Sequence, residues 1–217
     1  MDFLTMTGML GNGFLVSFQI FALTLLGSLP LGMLVAFARM SRFKPLALLA
    51  RFYISIMRGT PLMLQMFAIY FMPYYVFGIN LTTDSKWQAT IVAFIVNYAA
   101  YFAEIFRGGL QSIPRGQREA GKALGFSRVQ IFFRILLPQL FKRSLLPVSN
   151  EVVTLVKDTA LVTCIALCDM YYYAKKATSA TGSLLPLFLA GAFYLLMNTV
   201  VEVVFDRLNK RMDYYRG

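Results

Sequence analysis

Three stretches of the sequence carry no charged residue: between Asp2 and Arg39, between Arg58 and Asp84, and between Lys176 and Glu202. Each is long enough to supply the roughly 20 apolar residues of a transmembrane helix. In lipid the backbone amides must be satisfied within the segment, so such a run is expected to be helical. Two further runs have spanning length and carry charge. Trp87 to Arg107 has Glu104 as its one acid, and Pro147 to Cys168 holds Glu151, Lys157 and Asp158. The chain is 58% hydrophobic and only 14% charged, whereas a soluble domain is about a quarter charged. The expectation is an all-α membrane protein with five transmembrane helices near residues 13–38, 56–78, 87–107, 147–168 and 185–206. Residues 1–217 read as a single transmembrane domain, without linker, repeat or low-complexity tract.

The net charge of +11 is an orientation signal. Lys and Arg number five from Arg39 to Arg58, eight from Arg107 to Arg143 and four from Arg207 to Arg216. The other side has Lys86, Lys175 and Lys176. Basic residues concentrate in cytoplasmic segments, so the amino terminus is expected outside and the carboxy terminus in the cytoplasm. A nucleic-acid module would need a basic water-soluble face, and this chain offers little such surface. The first span is too long for a signal-peptide core and lacks a basic leading segment, so it is expected to stay in the mature protein. Trp87, Tyr74, Tyr75 and Tyr171 to Tyr173 fall at the expected outer interface, where amphipathic rings form a belt.

The composition also limits the chemistry. There is no His, and Cys164 and Cys168 read as small apolar packing residues, so neither a metal site nor a disulfide is expected. No Ser or Cys stands beside a plausible base, which leaves no catalytic constellation and no enzyme reading. A glycine-rich phosphate loop is absent from the sequence as well, so the chain is not itself an ATPase. An odd number of spans without matching halves does not fit an inverted repeat, and a symmetric pore would need a second chain.

The longest polar interruption, residues 108–146, lies between the third and fourth spans. A loop of that length is expected to have structure of its own. Pro114 can open a helix, Glu119 sits early enough to favour its positive end, and Gly125 can close it in the left-handed conformation. Ser127 and Gln130 have capping-box spacing for a second helix, and Pro138 disfavours its continuing unbent. Two short helices meeting at Gly125 are therefore predicted.

These residues carry a resemblance. Glu119-Ala120-Gly121, then Gly125, Ile135 and Leu137-Pro138, are similar to the cytoplasmic EAA loop of ABC-importer permeases, with Gly121 replacing the second Ala of that pattern. Arg58-Gly59-Thr60-Pro61-Leu62, the segment from Asn97 through Ala103-Glu104-Ile105 to Arg107-Gly108-Gly109, Ile113-Pro114-Arg115-Gly116-Gln117 and Lys157-Asp158-Thr159 resemble the polar amino-acid uptake branch. Together they cover most of residues 13–206. The resemblance implies a type I permease fold in a prokaryotic plasma or inner membrane. It also implies a second permease subunit, identical or related, two cytoplasmic ATPase subunits that bind ATP and Mg, and an external solute-binding protein. This chain would bind no cofactor.

Within that reading the loop is a lever: Glu119, Ala120, Gly121, Ala123 and Gly125 would dock into the ATPase. On spacing alone, Glu119 has a second reading as a cap paired with Arg115 or Lys122. Ionisable and polar groups inside spans are costly and mark candidate pathways. Gln65, Asn97, Tyr101, Glu151, Thr154, Asp158 and Thr159 form the expected substrate path, with donors and acceptors sufficient for an amino acid. The other reading of Gln65 and Asn97 is interhelical hydrogen bonding, and of Lys157 a pairing with Asp158. An ion-coupled carrier or channel using the buried acids is the alternative function, although it has no need of a docking loop.

Overall fold

The computed structural model describes residues 3–212, which form helices joined by short turns, with no strand among the described residues. Helix α1 runs from Phe3–Arg39, about 55 Å at 1.5 Å per residue. Helix α4, Thr83–Ser112, opens on a capping box between Thr82 and Ser85 and supplies the centre of the packing. Phe94, Ala99, Ala100, Phe102 and Ala103 of α4 are fully buried. Helix α1 approaches α4 so closely that a Cβ on Gly32 would lie 2.8 Å from the Phe102 Cβ and 3.0 Å from the Ala99 carbonyl oxygen. Small residues thus set the closest helix contact, while large ones point outward: Leu26 is 73% exposed and Phe188 72%. Small residues at the helix contact with large apolar ones on the outer face is the pattern of helices whose outer solvent is lipid.

The other elements correct several sequence boundaries. A single span over 56–78 was expected. Instead the helix begins well before it, as α2, Lys44–Gly59, and breaks before α3, Leu62–Phe77. The cause is Pro61: Thr60, ahead of it, is pushed to φ −123° and ψ 147°, and Pro61 becomes the N-cap of α3.

The loop over 108–146 contains the two expected short helices, α5 (Arg115–Ala123) and α6 (Arg128–Ile131). Its second half is not loop. From α6 the chain passes through a π-helical turn, Phe132–Leu136, into α7, Leu137–Asp158. Pro138 stands just after the turn, so the wider turn absorbs the missing amide without ending the helix. The fourth expected span, 147–168, is shifted: α7 ends at Asp158, and a tighter 3-10 stretch, Thr159–Ile165, leads to Ala166 at φ 55°. Helix α8, Met170–Thr181, lies where only an aromatic belt was expected, and α9 spans Leu185–Arg211.

Three helical segments are long and apolar enough to cross a membrane: Thr5–Arg39, Thr83–Ser112 and Leu185–Arg211. The apolar α3 has 16 residues, about 24 Å, and is short of the hydrocarbon thickness by itself. Helix α7 has 22 residues but includes Lys142, Arg143, Glu151, Lys157 and Asp158.

Candidate substrate pathway and coupling loop

The break between α2 and α3 leaves backbone carbonyls without helical partners, and two side chains take them up. Gln65 Nε2 donates to the Met57 carbonyl at 3.0 Å and to the Thr60 carbonyl and hydroxyl at 3.1 and 2.8 Å. Asn97 Nδ2, on α4, donates to the same Met57 carbonyl at 3.0 Å and to Gln65 Oε1 at 2.9 Å. The Tyr53 hydroxyl adds a bond to the Val96 carbonyl. Asn97 is 4% exposed. The geometry of Gln65 and Asn97 is that of interhelical glue, with their amide hydrogens engaged by protein acceptors.

The remaining polar residues divide by face. Asp158 is half-buried and accepts from the Tyr98 hydroxyl at 2.6 Å. It forms no ion pair with Lys157, which is exposed. Glu151 is half-buried within electrostatic reach of Arg58 and Asp158. Thr154 is exposed, its hydroxyl donating to the Asn150 carbonyl at 3.0 Å. Thr159 is 1% exposed and donates to the Val156 carbonyl at 2.8 Å, so its hydroxyl does not reach the open face. The Tyr101 ring lies under the Arg58 guanidinium, 5.3 Å from it. One turn further on, Glu104 is chelated by Arg107, with nitrogen–oxygen distances of 3.0, 3.0 and 2.5 Å, and Arg107 also donates to Gln111.

Two residues here escaped the sequence reading. Tyr98 is 2% exposed and looks like ordinary aromatic core from its neighbours alone. Arg58 was counted only as the last of the cytoplasmic cations from Arg39 to Arg58. The available signal was the short distance from Pro61 to Gly78, too few residues for a span without the end of α2.

At the loop, Gly125 adopts φ 77°. Its amide donates to the Lys122 carbonyl at 2.9 Å, and the Phe126 amide donates to the Gly121 carbonyl at 3.0 Å. This is the double closure of a Schellman turn, which fixes the angle between α5 and α6. The Ser127–Gln130 capping box forms as the spacing indicated. Gly121 is buried, and a Cβ there would meet Ile135 Cδ1 at 2.8 Å and Ile131 Cγ1 at 3.0 Å. It joins α5 to the helix behind it, whereas Glu119, Ala120, Ala123 and Gly125 are exposed. Glu119 makes no ion pair with Arg115 or Lys122, and Leu124, which closes α5, is 71% exposed. No group of three or more metal-ligating side chains occurs among the described residues.

Residues 28–214 match the family described as binding-protein-dependent transport system inner membrane component. The arginine transport system permease protein ArtQ of Bacillus subtilis (strain 168) is 35% identical over 202 residues, covering 93% of this chain and 91% of that protein. The octopine transport system permease protein OccM of Rhizobium radiobacter is 41% identical over 198 residues, covering 83% and 78%. Among solved structures, a crystal structure of an amino acid ABC transporter with histidines superposes with a TM-score of 0.85 at 30% identity, covering 97% of this chain and 99% of that one. An inward-facing MetNI methionine ABC transporter shares the fold, with a TM-score of 0.73 at 18% identity over 98% and 99% of the two chains. These relatives leave the ion-coupled carrier or channel without support. The chain belongs to the inner-membrane components of binding-protein-dependent transport systems, and within them to the permeases of amino-acid ABC transporters.

Proposed function

We propose that the chain is one of two permease subunits that move a polar amino acid inward by alternating access. In this reading residues 1–217 form one transmembrane domain. Helices α1, α4 and α9 span the membrane, α3 with the end of α2 makes a fourth span, and α7 with the following 3-10 stretch a fifth. The amino terminus is outside and the carboxy terminus cytoplasmic. The exposed side of α5, with Glu119, Ala120, Ala123 and Leu124, meets a cytoplasmic ATPase that holds ATP and Mg, and an external solute-binding protein delivers the substrate. Gly125 sets the angle of the lever and Gly121 anchors it.

The observation that carries the pathway is the convergence of charged and polar groups from three helices beside a helix break. Arg58, Tyr101, Glu151, Thr154 and Asp158 gather on α2, α4 and α7, and several are open on the surface of a lone subunit. Broken backbone at membrane depth is tolerated where it is buried in protein or lines a cavity. A second permease subunit facing this surface would close the cavity.

A variant series separates lining from glue. Glu151→Gln and Asp158→Asn are expected to shift the concentration for half-maximal substrate-stimulated ATPase activity by about tenfold or more, as loss of a charged contact does, with assembly intact. Asn97→Ala is expected to act on the fold. It strips a partner from Gln65 and Met57, costing about 1–3 kcal/mol, and lowers the thermal midpoint of the complex. Wild-type substrate response in both Glu151→Gln and Asp158→Asn would remove the pathway from this face.

A further inference from the structure

We propose that Arg58 is the receptor for the α-carboxylate of the transported amino acid, a role that rests on the α2–α4–α7 face being the path. The starting observation is depth. The carbonyl of Met57, the preceding residue, accepts from Asn97 near the middle of α4. Helix α3 alone, at about 24 Å, cannot cross a hydrocarbon core of about 30 Å. The last turns of α2 complete that span and carry Arg58 into it. A guanidinium at such depth is costly unless it serves a polar cavity.

Its environment leaves it available. Arg58 is exposed, and among the described residues its guanidinium makes no hydrogen bond and no ion pair. Its one close partner is the face of Tyr101 at 5.3 Å. Cation–π contact holds the plane of the group while its N–H edges stay free. The two acids within electrostatic reach are Glu104 and Glu151. Arg107 already occupies Glu104. Glu151 has no hydrogen-bond partner among the described residues, whereas Asp158 is taken by Tyr98.

An unengaged guanidinium and an unengaged carboxylate therefore lie within electrostatic reach of each other, with no ion pair between them among the described residues. That is the complement of a zwitterion. The planar fork of Arg58 can take the substrate carboxylate through two parallel N–H···O bonds, and Glu151 can take the ammonium group. The pair reads the backbone common to α-amino acids, so the side chain must be read by other residues. The ligand class is a free α-amino acid with both charges present; an amine or a carboxyl-blocked derivative lacks half of the recognition.

The test uses the purified permease–ATPase complex without the solute-binding protein, so that the membrane site alone reports. Thermal shift against the standard L-amino acids identifies a binder, which is then compared with its own α-carboxamide. In the wild type the carboxamide is expected to bind about tenfold or more weakly, the scale of a lost charge-assisted hydrogen bond. In Arg58→Gln the two ligands should bind within about threefold of each other, and Arg58→Lys should restore part of the preference, since an ammonium keeps the charge without the fork. A wild type that does not distinguish the two ligands overturns the proposal without recourse to any variant. So does an Arg58→Gln complex that discriminates like the wild type, or a panel in which no amino acid binds. Failure of the path itself is separately visible, as unchanged substrate response in Glu151→Gln and Asp158→Asn.

Discussion

Gly125→Pro is expected to abolish uptake while the permease still reaches the membrane. Gly125 sits at φ 77°, and proline is fixed near φ −65°. The substitution also deletes the amide that donates to the Lys122 carbonyl at 2.9 Å. The Schellman turn then cannot close, at a local cost of about 3 kcal/mol, and α5 loses its fixed angle to α6. The spans are not touched, because the exposed side of α5 contributes little to the core. Gly125→Ala is the milder control: a left-handed alanine costs roughly 1–2 kcal/mol but keeps the amide, so uptake should be reduced and not lost. Glu119→Lys leaves the backbone alone. Glu119 is exposed and without an ion pair, so reversing its charge should change stability by about 0.5 kcal/mol or less, yet lower uptake at least about tenfold if its carboxylate makes a charged bond to the ATPase. Uptake assays with co-purification of the ATPase check both. Unchanged uptake and unchanged co-purification in Gly125→Pro and Glu119→Lys would sink the lever reading.

How much of this was legible in the sequence differed by element. Local signals survived: the capping box at Ser127 and Gln130 and the left-handed close at Gly125 depend on residues within one turn of each other. The charge-free stretches marked α1 and α9 for a related reason, since burial in lipid selects composition directly. What failed were boundaries set by geometry. The run Thr159 to Ile165 is as apolar as a helix interior, so nothing in its composition marks the end of α7 at Asp158. Helix α8 was hidden because its tyrosines and lysines read equally well as an interfacial loop, and its start is set by Asp169, a cap that only tertiary packing could bury.

The candidate pathway shows the same division. The polar residues inside spans stood out singly, and their faces followed from helical periodicity. Pairing across helices did not. Asn97 finds Gln65 across 32 positions of sequence and Tyr98 finds Asp158 across 60. Those pairings engage the amide groups of Gln65 and Asn97 between helices, and they brought Arg58 into view. Gly121 changed sides for a steric reason: it was expected on the docking surface, and the close approach of Ile131 and Ile135 puts it at the back.

The largest loss of stability is expected at the junction of α1 with α8, from Gly13→Val. A Cβ on Gly13 would lie 2.6 Å from the Met170 Cα and 2.8 Å from the Asp169 carbonyl oxygen. Both are backbone atoms, so no side chain can swing away, and α8 itself must move. That movement breaks a connected set of bonds. Ser17 Oγ donates to the Gly13 carbonyl at 3.2 Å and accepts from the Met170 amide at 3.4 Å. Asp169 is fully buried and caps α8 by accepting from the Tyr172 and Tyr171 amides at 2.9 and 3.2 Å, and from the Thr163 hydroxyl at 2.7 Å. Overpacking costs about 1–3 kcal/mol where side chains can yield, and here the strain falls on the backbone, so Gly13→Val should exceed that range. Asp169→Leu attacks the same junction from the other side. It removes the cap and three acceptor contacts, for about 2–4 kcal/mol, while Asp169→Asn keeps one acceptor oxygen and should lose less. Thermal midpoints and yields of the solubilised complex should rank wild type above Asp169→Asn, then Asp169→Leu, then Gly13→Val. A wild-type midpoint for Gly13→Val would mean that α8 does not rest on α1, and this end of the subunit would have to be packed some other way.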